Sequence, residues 1–222
     1  MTVNAPADDV RMAGDAAAIR LKVGYSIPVR RFETISGRSI DVSTLSRPVH
    51  IQFRRFAGCP VCTIHLREFV RRQAELRAHF HEIIIFHSSR QDLLAYSGDL
   101  PFDIVADPHK RIYAAFGVEA SPRALLDMRA WPTIVRAIAS SLPDVLTGRR
   151  PMPPLFPSGG RYGLPADFLV NPAGRVLAAK YGVHADDQWS VDEVIRFANA
   201  GLPASDEVRR AAGADSSAAR VS

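Results

Sequence analysis

Short apolar runs alternate with helical patterns along this chain. PVRRFET (residues 28–34), the turn SGR and then SIDVSTL predict an N-terminal hairpin or extended pair. PVHIQF (residues 48–53) predicts a strand. From Cys62 onward Leu66, Phe69, Val70, Gln73, Leu76 and Phe80 hold one face, while Arg67, Glu68, Arg71, Arg72, Glu75 and Arg77 hold the other, which predicts an amphipathic helix. EIIIF (residues 82–86) is the unbroken apolar run of a parallel strand buried on both faces. SSRQDLLAYSG predicts a short helix capped by Ser88 or Ser89 and ended by Gly98. FDIVAD predicts a strand. DPHKRIYAAFGV predicts a helix with Asp107 as N-cap, Pro108 at its first position and Gly117 as its stop. SPRALLDMRAWPTIVRAIASSL predicts a helix broken or bent near Pro132, and LPDVLTGRRPMPPLFPSGGRYGLP a long proline-rich connection. ADFLV, the turn NPAG and RVLAAKYG predict a hairpin, followed by a closing helix over about residues 191–200. This order predicts an α/β sandwich with a mixed sheet.

The polar, small-residue stretch 1–20 predicts a mobile arm, and the Ala/Ser/Asp-rich stretch 203–222 a disordered tail. Between them, residues 21–202 contain neither a repeat nor a linker and predict one domain. At 222 residues and 47% apolar content the chain is long enough to bury one good core. It contains no apolar run near the roughly 18 residues a membrane span needs, and MTVNAPADDVRMAGD lacks the apolar stretch of a secretory leader. The expectation is a cytoplasmic protein that does not engage the membrane. Its net charge is +5, from 28 basic residues that are nearly all arginine against 23 acidic ones. These cations are scattered, with pairs at Arg30–Arg31, Arg54–Arg55 and Arg71–Arg72 and no aromatic-interleaved tract, so nucleic acid is not an expected partner.

Both cysteines of the chain fall in FRRFAGCPVCTIHLREF, between a strand and the amphipathic helix. With Pro60 at the first helical position, Cys59 falls at the N-cap and Cys62 in the first turn. Unpaired amides and the positive end of the helix dipole stabilise a thiolate there. Arg54 and Arg55 upstream, with His65 and Arg67 downstream, would add to that field. Cysteines at i and i+3 are close enough to form a disulfide, but one that closes a single helical turn ties no second element down. C-x₂-C-x₂-H at Cys59, Cys62 and His65 would supply three zinc ligands, yet no second cysteine pair completes a closed site. Thr63 stands where a haem-attachment motif needs histidine. Redox chemistry of the dithiol is therefore expected, with no metal and no cofactor. Helical phase points Cys62 toward the core and leaves Cys59 at an exposed tip, which makes Cys59 the attacking thiol.

FAGCPVCTIHLREF behind an apolar strand resembles the active site of the thioredoxin fold, and more closely its peroxiredoxin-like branch, the alkyl hydroperoxide reductase/thiol-specific antioxidant family. VGYSIPVRRFETISGRSIDV resembles that family's N-terminal strand pair, and FPSGGRYGLPADFLVNPAGRVLAAKYG its later core strands. The resemblance spans roughly residues 23–200. It implies a thioredoxin-like fold whose mixed central sheet is flanked by helices, with an N-terminal extension and an inserted helix and loop. It further implies a thiol-dependent peroxidase or oxidoreductase that takes a hydroperoxide or a protein disulfide, regenerated by an external thiol reductant such as a thioredoxin-type protein. A homodimer is left open. Pro165 would be the cis-proline packed against the dithiol. The family pattern P-x-x-x-T-x-x-C is incomplete: aligned on Cys62, Cys59 replaces the threonine and Arg55 the proline; aligned on Cys59, Gln52 and Phe56 take those places. The family match thus favours Cys62 as the attacking thiol, against the helical phase. The pocket arginine has no motif to fix it; Arg161 and Arg123 are the candidates. Peroxidase activity is accordingly less firmly implied than dithiol–disulfide exchange. The alternatives are a redox-sensing or binding module that uses the pair as a switch, and a zinc-binding Cys/His site.

Other ionisable residues carry weaker expectations. His184, Asp186 and Asp187 read as a solvated histidine beside helix-start acids, and His50 as a satisfied sheet histidine. His87 falls at the C-terminal end of a strand, on the edge where α/β sites form.

Overall fold

The computed structural model describes residues 19–97, 99–118, 128, 131–148, 157, 160 and 163–200. Apart from residues 19–20, the arm 1–20 and the tail 203–222 lie outside them, as do Gly98, Arg123 and Arg161.

The predicted hairpin is present: β1 (Arg31–Glu33) pairs antiparallel with β2 (Ser39–Asp41). A single 3-10 turn, Val42–Thr44, follows it. The main sheet has five strands in the order β5-β4-β3-β6-β7. At its centre β3 (Val49–Arg54) runs parallel to β4 (His81–Phe86), which runs parallel to β5 (Asp103–Ala106). On the other side of β3, β6 (Ala166–Val170) and β7 (Val176–Tyr181) are antiparallel. This is the predicted mixed sheet. The hairpin extends it through a bridge from Thr34 to Val105 of β5.

Helix α1 (Pro60–Arg71) follows β3 after a five-residue turn, and α2 (Gln73–His79) follows α1 after Arg72. The single predicted helix is therefore interrupted at Arg72, whose φ of −105° and ψ of 20° depart from helical geometry. Leu66, Phe69 and Leu76 are buried as the apolar face requires, while Val70 is half-buried. Ser89 caps α3 (Arg90–Ser97) by accepting from the amide of Asp92 at 3.1 Å. The helix after β5 starts later than expected. α4 is Arg111–Ala115, and Lys110 before it is left-handed, with φ at 55°. Asp107 still does the capping, its carboxylate accepting from the amides of Arg111, Ile112 and Tyr113. α5 (Trp131–Leu146) is helical through Pro143, so the start of the supposed connection belongs to it, and Pro132 sits in its first turn, where a missing N–H does no harm. α6 (Val191–Asn199) begins in a capping box formed by Ser190 and Glu193.

The faces of β3 separate two interiors. Val49, Ile51 and Phe53 enter an apolar core with Phe32, Phe116 and Phe168. His50, Gln52 and Arg54 point the other way, beneath α1, and are equally inaccessible. No helix among the described residues is long and apolar enough to cross a membrane.

Candidate active site

The chain leaves β3 through a tight turn in which the amide of Cys59 donates to the carbonyl of Phe56 at 3.1 Å. Gly58, with φ at 76°, takes the left-handed position that a side chain would resist. The amide of Ala57 donates to Ser88 Oγ at 2.9 Å, pinning this turn to the end of β4. Cys59 is then the N-cap of α1 and Pro60 opens the helix, as the spacing predicts. Cys59 Sγ accepts from the amide of Cys62 at 3.4 Å and from the Cys62 thiol at 2.9 Å. Arg55 Nη1 lies 3.8 Å from the same sulfur. Both cysteines are reduced.

The two thiols are electrostatically unlike. Burial alone pushes Cys59 up. The hydrogen bond from Cys62, the charge of Arg55 and the amides of Cys62 and Val61 outweigh it and bring the thiol down to about 6. Cys62 is pushed well above the ordinary thiol range, first by burial, then by its hydrogen bond to Cys59 and the charge that Cys59 carries. The pair is therefore polarised, with Cys59 the thiol that ionises first and Cys62 the one that keeps its proton.

The exposed tip expected for Cys59 is not found. Cys59 is 1% exposed and Cys62 3%, because Ala137 and Ile134 of α5 pack over both together with Phe56, Val61 and Ile64. Helical phase within α1 says nothing about a helix that arrives from some seventy residues later. Among the described residues a cavity of about 30 Å³ reaches the sulfurs, lined by both cysteines, Phe56, Thr63, Arg67 and Tyr96, among others.

Of the four expected cations, Arg55 stands beside the Cys59 sulfur. Arg54 turns under α1, where its guanidinium binds both oxygens of Asp167 and also Gln52 Oε1. His65 Nε2 lies 3.1 Å from Arg54 Nη2, and burial, then the Arg54 charge, holds the ring well below the usual histidine range. His65 is neutral and adds no charge to the thiols. Arg67 lines the cavity. Pro165 is buried, but the bond before it is trans, since no cis peptide occurs among the described residues. Its carbonyl accepts from the amide of Gly182 at 2.9 Å and its ring lies where any side chain on Gly182 would go, so it serves the β6–β7 pair.

His87 is fully buried between Phe56 and Tyr113, with ring centroids at 6.5 and 5.6 Å, and bonds to neither sulfur. Burial, then the charges of Lys110 and Arg55, lowers it to about 4. His184 accepts from the amide of Asp186, Asp186 accepts from Thr133 of α5 at 2.6 Å, and Asp187 pairs with Lys180 at 2.9 Å. These residues build the turn before α6 and anchor α5.

His50 belongs to a charged cluster that the sequence did not announce. Its Nδ1 lies 2.9 Å from Glu82 and its Nε2 3.2 Å from Asp167, and Gln52 Nε2 donates to the same Glu82 oxygen at 2.5 Å. Burial lowers His50, but Glu82 and Asp167 outweigh it and raise the ring to about 9. Burial raises Asp167, and Arg54 and His50 overcome that and hold its carboxyl far below the usual range. Four nitrogens from three residues converge on Asp167: His50 Nε2, both terminal nitrogens of Arg54, and the amide of Trp189 at 3.1 Å. Partners 30 to 117 residues apart leave no local pattern to read.

The chain matches the family model described as AhpC/TSA antioxidant enzyme over residues 68–184, a little more than half its length. It belongs to that family. It is a thioredoxin-fold, peroxiredoxin-like, thiol-dependent oxidoreductase. The match starts beyond Cys62, so the roles of the two thiols rest on their geometry. No curated protein matches the sequence. Among solved structures, a cysteine-to-serine mutant of peroxiredoxin 6 from Arenicola marina is similar at a TM-score of 0.58 and 13% identity, covering 81% of this chain and 72% of that one. Peroxidoxin BcpB from Mycobacterium tuberculosis is similar at 0.55 and 16% identity, covering 83% and 98%. At such identities the likeness shows the shared fold.

Proposed function

We propose that this AhpC/TSA-family enzyme reduces hydroperoxides through the Cys59/Cys62 dithiol, with Cys59 as the attacking thiolate. The observation that carries this reading is the polarised pair: Cys62 donates to Cys59 Sγ at 2.9 Å, with Arg55 beside the acceptor. The Cys59 thiolate attacks the O–O bond, giving a sulfenic acid on Cys59 and, after protonation, the alcohol. The Cys62 thiol then attacks the sulfenic sulfur, water leaves, and the Cys59–Cys62 disulfide forms. Two electrons from an external dithiol, such as a thioredoxin-type protein, restore the pair by exchange. Arg55 stabilises the anion before attack, and Pro60 fixes the helix start that aims the amides.

The confined opening favours a small hydroperoxide over a protein disulfide as the first substrate, because a protein disulfide does not fit in about 30 Å³. Exchange with the external dithiol then requires α5 to withdraw Ile134 and Ala137 from the sulfurs. The test is peroxide consumption coupled to a thioredoxin-type reductant, with adduct mapping by a sulfenic-acid probe. Cys59→Ser is expected to abolish consumption, and Cys62→Ser to accumulate a sulfenic acid on Cys59. A sulfenic acid on Cys62 in the Cys59→Ser protein would overturn the assignment.

A further inference from the structure

A second cavity lies at the edge of the sheet where β4 and β5 begin, whereas the thiols follow the end of β3. It has a volume of about 600 Å³, within the range of small-molecule sites. Five separate segments each bring an ionisable side chain to its wall: Arg38 from the β1–β2 turn, Arg47 from the loop before β3, Arg77 from α2, His81 and Glu82 from β4, and Asp103 from β5.

The charges there do not cancel. Asp103 is shared, pairing with Arg38 on one oxygen and with His81 at 2.8 Å on the other. Glu82 Oε2 is engaged on the buried side by His50 and Gln52. Arg47 donates to the carbonyl of Arg77, and Arg77 donates to the carbonyl of Pro101 at 3.1 Å. Neither guanidinium meets a carboxylate among the described residues, and both side chains are exposed at the cavity. A guanidinium held by one carbonyl keeps most of its donors for a carboxylate or phosphate.

The rest of the wall decides what kind of anion fits. Phe80, Leu100, Phe102 and Ile104 contribute apolar surface that a hydrated inorganic ion would leave wet. We propose that this cavity binds an amphiphilic organic anion, its carboxylate or phosphate head on Arg47 and Arg77 and its apolar body against Phe102 and Leu100. The site is separate from the dithiol and independent of its chemistry; Leu100 alone lines both cavities.

The test is calorimetric titration of the full chain with decanoate, 1-decanol and inorganic phosphate. Decanoate is expected to bind at least about tenfold more tightly than either other probe, since only it offers both the charge and the apolar body. Arg47→Gln with Arg77→Gln is expected to weaken decanoate by about tenfold or more, the scale of a lost charge-assisted hydrogen bond. Arg196→Gln on α6, outside the cavity, is expected to leave it unchanged. These exposed arginines anchor no core packing, and unchanged circular dichroism verifies that the variants fold. Decanoate binding that is absent, or insensitive to the double substitution, overturns the proposal. Equal affinity for phosphate or decanol overturns it as well, by removing the need for one of the two halves of the site.

Discussion

Helix α1 sits on two buried polar clusters that differ in kind. Beneath its middle lie His50, Gln52, Arg54, Glu82 and Asp167, where Asp167 alone takes contacts from three residues, His50, Arg54 and Trp189. At its N-terminus lie the two thiols, where one sulfur carries an anion met by a hydrogen bond from its neighbour and a guanidinium 3.8 Å away. In the first cluster opposite charges meet directly and hold the sheet and helix in register. In the second the Cys59 thiol is brought down to about 6 by a neighbouring thiol, a single guanidinium and two amides. Buried charge met directly by opposite charge is structural; buried charge with a weak, one-sided partner is available for chemistry.

Breaking the paired cluster is expected to have the largest effect. Asp167→Ala strands Arg54 and a protonated His50 in the interior and is expected to cost about 3–5 kcal/mol in chemical denaturation. Cys59→Ser is expected to cost far less stability while abolishing turnover; comparable losses from the two substitutions would erase the contrast. Next comes pH. His50 has a folded value near 9, above its unfolded value, so its contribution is complete below about pH 6.5, declines as pH rises, and is lost beyond about 9. Denaturation midpoints should fall across that interval in the wild type and stay flatter in His50→Gln. Arg55→Gln sharpens the other side. Losing the guanidinium beside Cys59 is expected to raise its titration by about one unit, a tenfold smaller thiolate-to-thiol ratio near neutrality, with the fold intact. The smallest effect is expected at the capping box of α6, where Ser190→Ala should cost about 1 kcal/mol and leave the thiols untouched.

The parts of this architecture written in contiguous residues were legible. The C-P-V-C spacing placed Cys59 at a helix N-cap, and apolar runs located all five strands of the sheet. Local patterns failed where distant segments decide. VHIQFR alternates like a strand with one wet face, yet Glu82 and Asp167 from its neighbours allow its polar side to be buried. Cys59 read as exposed because nothing near it in sequence reveals that Ala137 and Ile134 cover it. Asp107 was recognised as a cap, but Lys110 in the left-handed region delays the helix it caps. The cis bond expected before Pro165 came from resemblance alone, and the β6–β7 pairing accommodates a trans one.

The most direct measurement is a pH titration of ultraviolet thiolate absorbance on the wild type, Cys59→Ser and Cys62→Ser. The wild type is expected to show one thiolate forming with a midpoint near 6, assigned to Cys59 by its disappearance in Cys59→Ser. Cys62→Ser retains a hydroxyl donor to the sulfur and should keep a midpoint below the ordinary thiol value of about 8.5. A wild-type midpoint at or above that value, or a low midpoint that survives in Cys59→Ser, would contradict the polarised dithiol.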